Sequence, residues 1–134
     1  MAENLNNCPC SGKSMSNLAA PWILLTLFNH AGTHGYEIQK KIGARLEGMG
    51  VGMNITGLYR HLNLLEQRGM LRSEWDTPDK GPPKRRYYLT EAGKACLWRW
   101  VGTLSQQMSL IDIFFDQVRL TFPNAILPRM METV

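Results

Sequence analysis

The chain has 134 residues, 44% of them hydrophobic, which is enough to bury one core and little more. Its formal charge of +4 and isoelectric point near 9.2 are compatible with a polyanionic partner but shared by many unrelated proteins. The start, Met1 to Asn7, is polar and lacks the charged segment and apolar core of a secretory leader. No apolar run reaches membrane-spanning length, so the expected location is the cytoplasm, without a membrane partner.

Residues 1–17 read as a polar tail that carries Cys8-Pro9-Cys10. With Cys96 they make an odd number of cysteines, and Cys8 and Cys10 stand too close for an ordinary disulfide framework. Reduced thiols are the default. The sharper reading is a thiolate metal or redox site completed by His30 or His34, but two ligands do not make a site, and no metal or other cofactor is expected.

A first helix starts at Leu18 or Ala20, with Pro21 in its first turn and Trp22, Ile23, Leu25, Leu27 and Phe28 filling a buried face. Asn29 to Thr33 ends it. A second helix, about Tyr36 to Leu46, buries Ile38 and Ile42 and exposes Glu37, Lys40, Lys41 and Arg45. Tyr36 at its start can hydrogen-bond a phosphate, as can the helix terminus itself. Gly48-Met49-Gly50-Val51-Gly52 then argues for a mobile or tightly turned connection.

In the third helix Leu58, Leu62 and Leu65 recur at four and three residues, so one face is apolar while Tyr59, Arg60 and Asn63 point elsewhere. Thr56 can cap its start and Gly69 its end, and His61 falls at the boundary of the buried face. Met70 to Trp75 alternates like a strand, Thr77 to Pro83 interrupts it, and Arg86 to Leu89 returns. Lys80, Lys84, Arg85 and Arg86 crowd the expected hairpin tip. A basic hairpin alone is most often a solvated edge. An amphipathic helix followed directly by such a hairpin is the order of a winged helix-turn-helix domain, which presents the tip to a phosphate backbone.

Thr90 can cap a last helix whose Leu97, Val101, Leu104, Met108, Ile111, Phe115, Val118 and Phe122 step by four and three, a heptad seam. So small a domain has no second core for this stripe, and a homodimer burying it, with Trp100 widening the face, is the expectation. Packing against the first helix is the competing use of the same residues. Pro123 and Pro128 stop the helix. The expected architecture is mainly α with a small β-hairpin wing: a winged helix-turn-helix domain over 18–90, a dimerisation helix over 91–123 and a loose tail over 124–134.

Three segments, GTHGYEIQKKI, GLYRHLNLLEQRGML and GPPKRRYYLTEAGK, resemble in order and spacing the PadR family of bacterial transcriptional regulators, over about Leu18 to Leu104. The resemblance implies that His34 to Ile38 open the first helix of the helix-turn-helix and that Leu58 and Tyr59 lie in the recognition helix. Relatives commonly read Pro-Gly-Thr-Leu-Tyr where this chain has Ile55-Thr56-Gly57-Leu58-Tyr59, so the helix start can differ. It further implies a dimeric repressor of promoter DNA and, for some members, a small aromatic or hydrophobic effector, for which Trp98, Trp100 and Phe114 offer stacking surface.

On double-stranded promoter DNA, Thr56, Tyr59, Arg60 and Asn63 would face the major groove, with Arg60 and Asn63 reading bases. Tyr36, Lys40 and Lys41 would reach the backbone, and Lys80, Lys84, Arg85 and Arg86 an adjacent phosphate or minor groove. No nucleophile elbow, phosphate loop or metalloprotease motif is present, so no enzyme is expected and no catalytic residue is assigned. Two rivals follow from the same residues: a metal or thiol sensor using Cys8 and Cys10, and a winged-helix module that pairs proteins without touching DNA.

Overall fold

The computed structural model describes residues 18–49 and 52–124. The elements run α1 (Ala19–Asn29), β1 (Thr33–His34), α2 (Gly35–Arg45), α3 (Ile55–Gln67), β2 (Leu71–Asp76), β3 (Lys84–Leu89) and α4 (Glu91–Thr121). Cys8 and Cys10 lie outside the described residues, as does the tail from residue 125. One compact unit ends at Arg99, and a second begins at Trp100.

Within the first unit the core is built where the helical periods cross. Ile23, Leu24 and Leu27 of α1, Ile38 and Ile42 of α2, and Leu58, Leu62 and Leu65 of α3 are buried, together with Leu71, Tyr87 and Leu97. Full burial of each aliphatic side chain contributes roughly 1.5–3 kcal/mol. Leu25 and Phe28, expected inside, are 42% and 54% exposed. An apolar α1 has a flank as well as a face, and the 3.6-residue period carries both residues onto it.

The cap of α3 differs from expectation. Asn54, in extended backbone, accepts from the Gly57 N–H through Oδ1 at 2.6 Å, while its carbonyl receives the Leu58 N–H at 3.0 Å. Thr56 therefore sits inside the first turn, exposed. The other end follows the expectation: Gly69 adopts φ 79°, and the N–H groups of Gly69 and Met70 return to the carbonyls of Glu66 and Leu65 at 3.0 and 2.9 Å. That pair of bonds satisfies carbonyls the helix would otherwise leave open.

The sheet has the order β1-β3-β2, both pairs antiparallel. Its third strand, Thr33–His34, is too short for periodicity to reveal, and it pairs Thr33 with Tyr87 and His34 with Arg86. Lys84, Arg85 and Arg86 correct the expected hairpin: they are the first three residues of β3, opposite Asp76, Trp75 and Glu74, and not its tip.

Where α3, β2 and α4 meet, the Thr90 hydroxyl both donates and accepts. It donates to the Gly69 carbonyl at 2.6 Å and accepts the Gly93 N–H at 3.0 Å, capping α4 as expected, while its own N–H reaches the Met70 carbonyl at 3.2 Å. The backbones approach so closely that a Cβ on Gly93 would stand 2.1 Å from the Met70 oxygen.

In the second unit the residues of α4 from Trp100 include no buried side chain. Trp100, Leu104, Phe115 and Val118 of the seam are half-buried, while Val101, Met108, Ile111 and Phe122 are exposed. Phe114 and Phe115 meet edge to face, 5.6 Å between centroids.

Candidate nucleic-acid interface

With the leucines of α3 turned inward, Thr56, Tyr59, Arg60 and Asn63 are all exposed. Their spacing of three and four places them along one side of the helix. Tyr59 reaches sideways to the start of α2, where its ring lies over buried Gly35; a Cβ at Gly35 would come within 2.7 Å of that ring. Only a residue without a side chain lets α3 touch α2 there.

His34 precedes α2 in extended backbone and places no side-chain cap over the helix's first N–H groups. Its Nε2 instead lies 3.2 Å from Asp76 Oδ2. Tyr36 is 58% exposed on the first turn, with Lys40 Nζ 5.3 Å from its ring centroid. Helix start, Tyr59 and wing together line a cleft of about 480 Å³ whose walls include Tyr36, Glu37, Tyr59, Trp75 and Lys84. Lys41 is half-buried, and Lys80 is exposed in the turn beyond β2.

The two arginines expected at the hairpin tip are both bonded to partners within this chain, Arg85 half-buried and Arg86 exposed. Arg85 Nη2 donates to Glu66 Oε1 at 2.5 Å and to Ser73 Oγ at 2.6 Å. Arg86 binds Asp76 Oδ2 through Nε at 3.1 Å and the Gly32 carbonyl through Nη1 at 3.0 Å. Strand alternation explains the difference: Arg85 shares the inner face of the wing with Tyr87, whereas Arg86 lies over the junction with β1. Beside them, burial pushes the Tyr87 phenol above its ordinary value, with the Arg85 guanidinium opposing.

Periodicity could not find Glu66, Ser73, Asp76 or Trp75, because their partners lie on other elements. Asp76, at the end of β2 and opposite Lys84 in register, bonds Arg86 and His34 instead. Among the described residues no group of three or more His, Cys, Asp and Glu could hold a metal ion, and Cys96 is a half-buried free thiol.

A family model for the PadR-like transcriptional regulators matches residues 23–99, more than half of the chain. The chain belongs to the PadR-like family of transcriptional regulators. That makes it a regulator and not an enzyme, and its three motif segments fall on the helix-turn-helix and wing of a mainly helical fold with a small antiparallel sheet. The PadR-like fold recurs in solved structures. The Thermoplasma acidophilum protein TA0346 is similar with a TM-score of 0.63 and 28% identity, over 76% of this chain and 94% of that one. A transcriptional regulator from Clostridium thermocellum gives a TM-score of 0.65 at 21% identity, over 73% and 90%. Bacillus subtilis PadR, solved in complex with operator DNA, gives 0.56 at 23% identity, over 63% of this chain and 47% of that chain. A search of curated proteins returned no significant match. Among the described residues no helix is long and apolar enough to cross a membrane.

Proposed function

We propose that this PadR-like protein is a cytoplasmic, dimeric, sequence-specific repressor of promoter DNA, released by a small aromatic or hydrophobic effector. The observation that carries the reading is the exposed polar side of α3, opposite three buried leucines and flanked by the α2 start and the wing. The likeness of fold to a PadR bound to operator DNA supports the same class of partner.

In this reading residues 18–90 bind DNA and residues 91–123 dimerise. Thr56 and Tyr59 approach the major groove, and Arg60 and Asn63 contact base edges, since an arginine fork suits guanine and a side-chain amide suits adenine. Tyr36, Lys40 and Lys41 hold one stretch of backbone, while Lys80 and Lys84 hold another. Trp100, Val101, Leu104, Met108, Ile111, Phe115, Val118 and Phe122 meet the second copy, while Leu97 of the expected seam is taken up by the core of the first unit. The dimer sets two recognition helices about 34 Å apart, one turn of DNA. Trp98, Trp100 and Phe114 offer the effector flat surface beside that seam.

Selection from randomised duplexes followed by affinity measurement in a salt series tests the reading. The wild type should prefer the selected duplex to a scrambled one, and Arg60→Ala or Asn63→Ala should each erase about 1–3 kcal/mol of that preference. Lys84→Ala should weaken both duplexes and lower the salt slope by about 0.9. Equal, weak binding to both duplexes by the wild type would overturn the proposal.

A further inference from the structure

We infer that Glu66 is a positioning residue for DNA recognition: it locks Arg85 and Ser73 into a closed polar triangle that sets the wing against the recognition helix and withholds the Arg85 charge from phosphate. The inference rests on the DNA-binding reading above.

The triangle joins three elements. Glu66 stands in the last turn of α3, the helix that carries Arg60 and Asn63, while Ser73 lies in β2 and Arg85 in β3. Ser73 Oγ donates to Glu66 Oε2 at 2.5 Å, and Arg85 donates to Glu66 Oε1 at 2.5 Å and to Ser73 Oγ from Nε and Nη2 at 3.2 and 2.6 Å. Both carboxylate oxygens are thereby engaged. The guanidinium lies 5.6 Å from the ring centroids of both Trp75 and Tyr87, which brace it from two sides. Glu66 and Arg85 retain 27% and 33% of their side-chain exposure, so the pair is partly withdrawn from solvent.

Moving Arg85 to a phosphate would require breaking three charge-assisted contacts and leaving Glu66 as an uncompensated acid beside DNA. Lys84, its neighbour in β3, is exposed on the other strand face and carries no such cost. Within β3 phosphate reach therefore falls to Lys84, beside Lys80 of the turn, and the wing's angle to the Glu66 triangle. A hairpin free to rock about α3 would still meet DNA, but its contacts would no longer keep register with bases read by Arg60 and Asn63.

Charge alone and positioning predict different signs. Removing an acid should strengthen DNA binding and removing a base weaken it, if only the field matters. If the triangle positions the wing, Glu66→Gln and Arg85→Gln should both lower the preference for the selected over the scrambled duplex, each by about ten-fold. Arg85→Gln should leave the salt slope at the wild-type value, where loss of a phosphate contact would remove about 0.9. The charge swap Glu66→Arg with Arg85→Glu should recover part of the lost preference. Urea melts without DNA supply an independent arm: the double variant Glu66→Gln with Arg85→Gln should be less destabilised than the two singles added together. An unchanged preference in either single, overall affinities that move only with the sign of the charge removed, a slope lowered by a phosphate's worth, or additive melts would each overturn the inference. A wild type that does not discriminate the duplexes would overturn the DNA reading and this inference together.

Discussion

Gly93→Ala sets two well-understood effects against each other. By helix propensity alone, alanine in the first turn of α4 should stabilise the protein, by up to about 1 kcal/mol. The structure predicts the reverse. The new Cβ would stand 2.1 Å from the Met70 carbonyl oxygen, so α4 and the α3–β2 connection must separate by roughly 1 Å, and the obstacle is backbone, which cannot rotate away. Such overpacking costs about 1–3 kcal/mol. The same shift pulls the Met70 oxygen from the Thr90 N–H, now 3.2 Å away, at a further cost of about 1 kcal/mol. The expected net loss is about 2 kcal/mol, which for a unit of this size lowers the thermal midpoint by roughly 8–16 °C. Circular dichroism melts of the variant and the wild type at one protein concentration measure it. An unchanged or raised midpoint would refute the close approach and leave propensity as the governing effect.

Asn54→Ala should cost about 1 kcal/mol in urea melts by removing the α3 cap, whereas Thr56→Ala should change stability by less than about 0.5 kcal/mol; equal effects would return the cap to Thr56. Gly35→Ala should leave the melting midpoint within a few degrees, because the Tyr59 ring it meets can swing aside, yet weaken binding to the selected duplex as Tyr59→Ala does; unchanged affinity would remove Tyr59 from the interface. Tyr87 is neutral and its phenol is raised above the ordinary value of about 10, so its contribution is complete below that value and lost as pH climbs through the folded value. Stability should accordingly fall on the alkaline side of about pH 10, and Tyr87→Phe should flatten that limb; an identical limb in the variant would point to another group.

Elements held by local patterns were legible in the sequence. The leucine spacing of α3, the Gly69 stop and the Thr90 cap all follow from contacts within a few residues along the chain, and each stands where it was expected. Longer reach was not. Leu25 and Phe28 have the composition of core, and only their angular position on α1 exposes them. Asn54 and Thr56 are both good capping residues near one helix start, and only the backbone bend gives the cap to Asn54. The basic cluster was visible as charge, but Glu66 lies 19 residues from Arg85 and Asp76 lies 10 from Arg86, so pairing and free charge read alike in the sequence. Exposure on α3 thus follows the helical period, on α2 Lys41 departs from expectation by being half-buried, and on the wing exposure follows partners that lie far along the chain.

Only Gly93 and Leu97 of the 31 residues in α4 are buried, and beyond them the apolar side chains of the helix are half-buried or exposed. A single helix in water is marginal without packing to support it. In the dimer proposed above, the order of that segment is governed by mass action, and its helicity becomes a property of the solution as much as of the chain. Dilution should loosen it and accumulation tighten it, so the amount of regulator in a cell would itself set how much of it is competent.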